Sequence, residues 1–343
     1  MTDTSVDCVL FANGLSTDEA IRRAQLAESL GFATVYSPQA THRDALMLSA
    51  AYAQATSRIK VGTSVLPIYW SAPAAMGMTA TTVQELSGGR LRLGLGVSHA
   101  PLIEGYHSTT IGKPLADARE YVELLKAALR NDVPRVGKRW TVGGPHTDLP
   151  APVPDVPIYL AGLRRKMLFL AGEIADGVFL VNVPPEYVRD VVIPEVRAGR
   201  ERAGLGLDGF EITVIVNCTV SEDVESARNE FRGFLAWYMA LPYYRAVFEE
   251  AGYGHVVAGF DAADDFGAKA AALTNEFVDA LAAVGSPTQV GSLLGRFAKA
   301  GATSLAISPG VQPGGTGTTM MTAASAADFE LVLKTAIDAV RDL

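Results

Sequence analysis

The sequence predicts an α/β fold, a closed (β/α)8 barrel with a helical insertion before the eighth strand. Three observations carry this. Short β-rich runs alternate with longer amphipathic segments along most of the chain. The β-rich runs are mostly continuous stretches of Val, Ile and Leu, as parallel strands covered on both faces require. The strands count to eight, which favours a closed TIM-type barrel over an open doubly wound sheet.

Val6–Ala12 reads as the first strand, and Asp18–Leu30 as a helix stopped by Gly31. Ala33–Tyr36 and the helix Asp44–Thr56 follow, then the strand Ile59–Val65. Pro73 opens a helix through Leu86, at a first-turn position where its missing N–H costs nothing. Leu91–Val97 is the fourth strand and Ala116–Arg130 its helix. The Pro/Gly-rich stretch Asn131–Pro157 interrupts the alternation, with room for a hairpin around Trp140. The pattern resumes with Ile158–Gly162, Lys166–Ala175, Val178–Asn182, Glu186–Ala203 and the long seventh strand Phe210–Val220. Ser304–Ser308 closes the series before a last helix, Ala326–Leu343. Between them Glu222–Gly301 is helical in pattern and carries an aromatic block, Phe234–Phe248. That block reads either as a helical hairpin on the barrel wall or as a lid over the site.

Composition bounds the function. The chain has 343 residues, 49% apolar and 19% charged, which suits a folded protein with a large core. A barrel of this kind takes roughly 250 residues, so one domain over residues 1–343 is expected, with the surplus in Glu222–Gly301 and Asn131–Pro157. A net charge of −8 argues against nucleic acid as partner. No apolar run reaches the roughly 18 residues of a membrane span, and no leader pattern precedes the first strand, so a cytoplasmic location is expected. Cys8 and Cys218 lie far apart in apolar runs and read as buried thiols before a disulfide or a nucleophile. Five scattered histidines form no metal-binding spacing.

A barrel of this type works at the C-terminal ends of its strands. After strand two come Gln39 and His42, after strand three Thr63-Ser64-Val65 with Tyr69 and Trp70, and after strand four Val97-Ser98-His99. Gly162 ends strand five and is followed by Leu163 and three cations, Arg164, Arg165 and Lys166, at a helix start. Cations oppose the dipole there, so a bound anion such as a phosphate would account for them. Without one, they face solvent or pair with acidic neighbours. His99 and His42 are the candidates to move a proton near neutral pH. Gly94-Leu95-Gly96 lacks the third glycine of a dinucleotide fingerprint, and glycine here can make room for a planar ligand.

The run RIKVGTSVLPIYWSAPAAMGMTATTVQELSGGRLRLGLGVSH, Arg58–His99, resembles the bacterial-luciferase-like monooxygenases. Within them it is most similar to the branch using the deazaflavin coenzyme F420, of the methylenetetrahydromethanopterin-reductase type. PIYLAGLRRKMLFLAGEIADGVFLVN, Pro157–Asn182, carries the same resemblance, as do AESLGFATVY and RDALMLSAAYAQATSRI near the start; it weakens over Glu222–Pro287. The resemblance implies a non-proline cis bond at Ser64–Val65, in a bulge from Thr63 to Val65 behind the deazaflavin ring. It implies that Gly162 and Leu163, with Arg164 and Arg165, border the cofactor phosphate, Val181 and Asn182 its other side, and Val97, Ser98 and His99 the ring. Gln39, Tyr69 and Trp70 would line the substrate pocket. Pro38 and Gln39 replace the acid–histidine pair common after strand two, and no acid stands at His99. After Gly162 the chain has Leu163 where a further glycine is common. The expected function is hydride transfer between F420 and a small organic substrate, in a homodimer. An FMN-dependent monooxygenase and a catalytically inactive binding protein are the alternatives.

Overall fold

The computed structural model describes residues 4–39, 43–144, 154–310, 312–313 and 321–341. Its centre is a closed barrel of eight parallel strands. The strands are β1 (Ser5–Val9), β2 (Thr34–Ser37), β3 (Lys60–Thr63), β4 (Leu91–Gly96), β5 (Ile158–Ala161), β6 (Gly177–Val181), β7 (Glu211–Val220) and β8 (Ser304–Pro309). Each pairs with the next, and β8 pairs back with β1, from Ser5 beside Ser304 to Cys8 beside Ile307.

Helices cover the outside: α1 (Thr17–Leu30), α2 (Ala45–Ala55), α3 (Pro73–Leu86), α4 (Ala100–Tyr106), α5 (Pro114–Leu129), α6 (Arg165–Ile174) and α7 (Ile193–Arg202). The caps follow the sequence. Ser16 accepts from the amide of Glu19 to start α1, Gly31 ends it at φ 93°, and Pro73 sits in the first turn of α3. The hairpin expected around Trp140 is present, Arg135–Val136 against Thr141–Val142. Cys8 and Cys218 are buried and unpaired, and burial pushes both thiols far up, which removes them as nucleophiles. No helix among the described residues is long and apolar enough to cross a membrane.

The segment Glu222–Gly301 differs from the all-helical expectation. It contains α8 (Val224–Met239), α9 (Pro242–Phe248), further short helices and then a strand, Ala282–Gly285, before α10 (Pro287–Lys299). The strand runs parallel to Asn217–Val220, on the β7 edge that β6 leaves after its last pairing, Val181 with Ile215. Its residues, Ala-Ala-Val-Gly, give no β-rich run, which is why the pattern reads as helix. The helix α11 (Ala326–Arg341) then packs between α1 and α10.

Inside the barrel, Val9, Tyr36, Tyr159, Phe179 and Ala306 form one buried layer, joined by Phe11, Val65, Ala161 and Ile215. Phe179 meets Tyr36 edge-on at 5.0 Å and Tyr159 at 5.6 Å. Glycines on β3 and β4 admit these rings. A Cβ at Gly62 would lie 3.0 Å from the Tyr36 ring, and one at Gly94 would lie 2.8 Å from the Phe179 ring and 2.1 Å from the Thr63 carbonyl. The space at Gly94 thus belongs to Phe179 and Thr63, not to a planar ligand as the sequence suggested. Below this plug, Asp7 accepts a hydrogen bond from Ser304, and Arg92 pairs with Glu211 with its guanidinium 5.5 Å from the Tyr159 ring centroid.

Gly94→Ala should destabilise by about 1–3 kcal/mol through overpacking. Gly233→Ala, within α8 with nothing inside 4 Å of the new Cβ, should stabilise by about 0.5–1 kcal/mol. Urea denaturation of the two variants measures both signs.

Candidate active site at the C-terminal mouth of the barrel

β3 is interrupted where the site begins. Gly62 pairs with Arg92 but Leu66 with Leu95, so Thr63–Val65 stand opposite only Leu93 and Gly94. This is a β-bulge, and its Ser64–Val65 peptide bond is cis. Thr63 closes the gap: its Oγ1 donates to the Gly94 carbonyl at 2.9 Å and accepts the Gly94 amide at 3.0 Å. Its polar atoms therefore belong to the scaffold, whereas Ser64 Oγ is buried with no partner.

Other buried polar atoms gather at the same end. Asn182 follows β6 in the left-handed region at φ 52°, is 1% exposed, and leaves both Oδ1 and Nδ2 unpartnered. Asn217 on β7 and Ser308 on β8 are register neighbours, and Asn217 Nδ2 and Ser308 Oγ are also buried and unpartnered. Unmet buried polar atoms are costly. Neutral ones collected at a barrel mouth suit a ligand with a polar, uncharged edge. Sequence reading missed Asn217 and Ser308. The signal was available, because each lies two residues beyond an inward position, Ile215 and Ala306.

The sequence-predicted residues separate into groups. Val65, Val97, Ser98, His99, Leu163 and Val181 are half-buried at strand ends, with Ser98 at φ 59°. The Gly162 amide donates to the Phe179 carbonyl at 3.2 Å and so belongs to the sheet. Arg164 and Lys166 are exposed, and α6 begins without a side-chain cap. Arg165 is engaged otherwise, paired at 2.8 Å with Glu195 and at 2.7 Å with Glu250. Gln39 is a local brace: its Nε2 donates to the Arg43 carbonyl and its Oε1 accepts the Ala45 amide that opens α2. Tyr69 donates to Asp117 at 2.9 Å and lies beneath Arg139 and beside Trp140, so its hydroxyl serves the wall. Trp70 is half-buried with its ring 6.4 Å from His107. His42 lies outside the described residues.

His99 is gripped by the insertion. Tyr243 of α9 stacks on it at 5.5 Å and 6°, with its hydroxyl on Nδ1, and Trp237 and Tyr244 stand at 5.8 and 6.3 Å. The aromatic block therefore reaches the C-terminal end of the barrel, rather than only the outer wall. Burial lowers the His99 pKa to about 4, so the ring is neutral at pH 7.

Similarity to known proteins accords with this geometry. Residues 5–304 match the family model described as luciferase-like monooxygenase. A Mycobacterium tuberculosis protein provisionally named a coenzyme F420-dependent oxidoreductase is 29% identical over 83% of this chain and 88% of its own. The 5,10-methylenetetrahydromethanopterin reductase of Archaeoglobus fulgidus is 29% identical over 84% and 89%. An F420-dependent secondary alcohol dehydrogenase, solved with an F420–acetone adduct, superposes at a TM-score of 0.78 and 19% identity, covering 99% of this chain and 100% of the other.

Burial shifts the pKa values of two groups in opposite directions, Asp7 upward and His99 downward. Asp7 is raised to about 6 by burial, against the hydrogen bond from Ser304 and the charge of Arg92. Its contribution is present below the unfolded pKa near 4 and is lost as pH rises to 6. His99 is lowered, so its contribution is present above the unfolded value near 6.5 and is lost as pH falls to 4. Relative to wild type, Asp7→Asn should make stability rise more steeply from pH 4 to 6, by about 2–3 kcal/mol over the window. His99→Gln should do the reverse by a similar amount, and denaturant titrations across this range report both.

Proposed function

Because this chain belongs to the luciferase-like monooxygenase family, we propose that it is an oxidoreductase using coenzyme F420, passing a hydride between the deazaflavin C5 and a small organic substrate. The observation that carries the reading is the set of unmet neutral polar atoms at the mouth: Ser64 Oγ, Asn182 Oδ1 and Nδ2, Asn217 Nδ2 and Ser308 Oγ. They fit the alternating donors and acceptors on the polar edge of a deazaflavin, while Val65, Ala161 and Ile215 supply an apolar floor. The uncapped start of α6, with Arg164 and Lys166, fits the phosphate-bearing side chain. The name of the Mycobacterium tuberculosis relative points to the same cofactor.

F420, when bound in its reduced form, supplies a hydride at C5. The chain's part is placement and the proton. Val65 would back the ring, Asn182 would hold its polar edge, and His99 would move a proton at the substrate oxygen. Trp70 and the rings of α8 and α9 exclude water. FMN is the alternative cofactor, with oxygen as co-substrate, and a binding protein without catalysis is the third reading.

The enzyme is proposed to be a cytoplasmic homodimer. Helix α2 has no charged residue and α3 has only Glu85, yet they expose Met47 (67%) and Met78 (54%) and pack against each other. A second copy is the partner such a charge-free face suits.

Fluorescence titration with F420 should give a micromolar or tighter Kd. Arg164→Ala/Lys166→Ala should weaken it about tenfold, the order expected from losing charge-assisted contacts. No binding of F420 would overturn the reading, and oxygen consumption with reduced FMN would replace it by the monooxygenase. Met78→Arg should release monomers in sedimentation, and an unchanged dimer would move the interface elsewhere.

A further inference from the structure

The contact between His99 and the insertion does more than hold a lid. Tyr243 comes from α9, in the part of the chain where sequence resemblance is weakest. Its ring lies nearly parallel to the imidazole, 6° apart, and its hydroxyl meets Nδ1. The hydroxyl and Nδ1 share one hydrogen bond, and its direction sets the tautomer. With the hydroxyl donating, Nδ1 accepts and the neutral ring carries its proton on Nε2. Nε2 takes no partner among the described residues and is absent from the enclosed unpartnered polar atoms, so solvent or a ligand can reach it.

We propose that Tyr243 is a positioning residue that sets His99 in the Nε2–H form, making Nε2–H the proton donor to a substrate oxygen, and hence that the substrate is a carbonyl compound. The inference rests on the hydride-transfer reading above and names the substrate class for that site. The rings packed on the imidazole, among the described residues, are Tyr243 and Tyr244 of α9 and Trp237 of α8. None carries a charge at neutral pH, burial alone depresses His99 to about 4, and burial raises Tyr243 to about 12. The donor is thus neutral imidazole. A neutral N–H is a weak acid that gives its proton to an oxygen turning into an alkoxide. An iminium carbon, by contrast, becomes a neutral amine on taking hydride and needs no proton.

The step balances with a reduced 5-deazaflavin as reductant. The hydride forms a C–H bond at the carbonyl carbon, and the C=O π pair moves to oxygen. That oxygen takes the proton from Nε2, Nδ1 takes the proton of the Tyr243 hydroxyl, and the phenolate regains a proton from water. The carbonyl is reduced to an alcohol by one hydride and one proton, and the deazaflavin is oxidised.

The test has one arm that needs no cofactor. In 15N imidazole spectra of the unliganded protein, with His99→Gln for assignment, His99 should hold the Nε2–H pattern unchanged from pH 8 to 5. Tyr243→Phe keeps the ring and removes the hydroxyl, so it should lose that tautomer preference. A dominant Nδ1–H form, or titration near pH 6.5, overturns the proposal. In the second arm, reduced F420 should be oxidised by cyclohexanone or acetophenone. Tyr243→Phe should lower kcat about 100-fold, the scale of a positioned proton donor, with KM and F420 affinity within about twofold. Unchanged kcat in Tyr243→Phe, or no turnover of either ketone, overturns the assignment. Loss of F420 binding in the wild type would instead refute the cofactor reading, and the spectra of the unliganded protein separate the two failures.

Discussion

The structure depends on the aromatic plug of Tyr36, Tyr159 and Phe179 across the barrel axis. Those rings form one buried layer inside the barrel, and its two ends differ in chemistry. Below the plug, charge is buried and compensated within the protein: Arg92 meets Glu211, and Asp7 leans toward its neutral form. Above it, Ser64, Asn182, Asn217 and Ser308 leave neutral amides and hydroxyls unmet. Close packing rather than a dedicated pocket wall therefore leaves the C-terminal mouth as the end for the proposed ligand chemistry. The same packing explains Gly62 and Gly94, where any side chain would meet a ring or a backbone carbonyl.

At the mouth, charge is kept out of the centre. Arg165 would be a third cation beside the start of α6, but Glu195 and Glu250 hold it. Glu250 belongs to the insertion, so this ion pair ties the insertion to the first turn of α6, while Tyr243 ties it to the end of β4 through His99. Tyr187 adds to the first tie, donating to the Leu163 carbonyl at 2.8 Å. Two strand ends of the barrel are thus bridged by one insertion, and the imidazole between them stays neutral because burial disfavours its charged form.

Much of this was legible in the sequence. The alternation of β-rich and amphipathic runs gave all eight barrel strands, since buried parallel strands must be apolar throughout. The interruption at Thr63–Val65 was available through resemblance, not through any local pattern. What escaped is what depends on partners far along the chain. Gln39 looks like a ligand residue until its amide is found bracing Arg43 and Ala45. Arg165 looks like a phosphate contact until Glu195 and Glu250 are in place. Gly94 looks like room for a ligand until Phe179 fills it. The strand Ala282–Gly285 has no β-rich composition of its own and exists because β7 offers it an edge. Tyr243 is one of several tyrosines in a helical block, and nothing local marks the one that meets His99.

The most direct measurement of the central claim is a crystal structure of the protein grown with F420. The deazaflavin ring is expected at the mouth against Val65, its polar edge on Asn182, and its phosphate at the start of α6 near Arg164 and Lys166. A ring bound anywhere else, or a mouth in which Asn182 and Ser64 remain without a ligand at saturating F420, would contradict it.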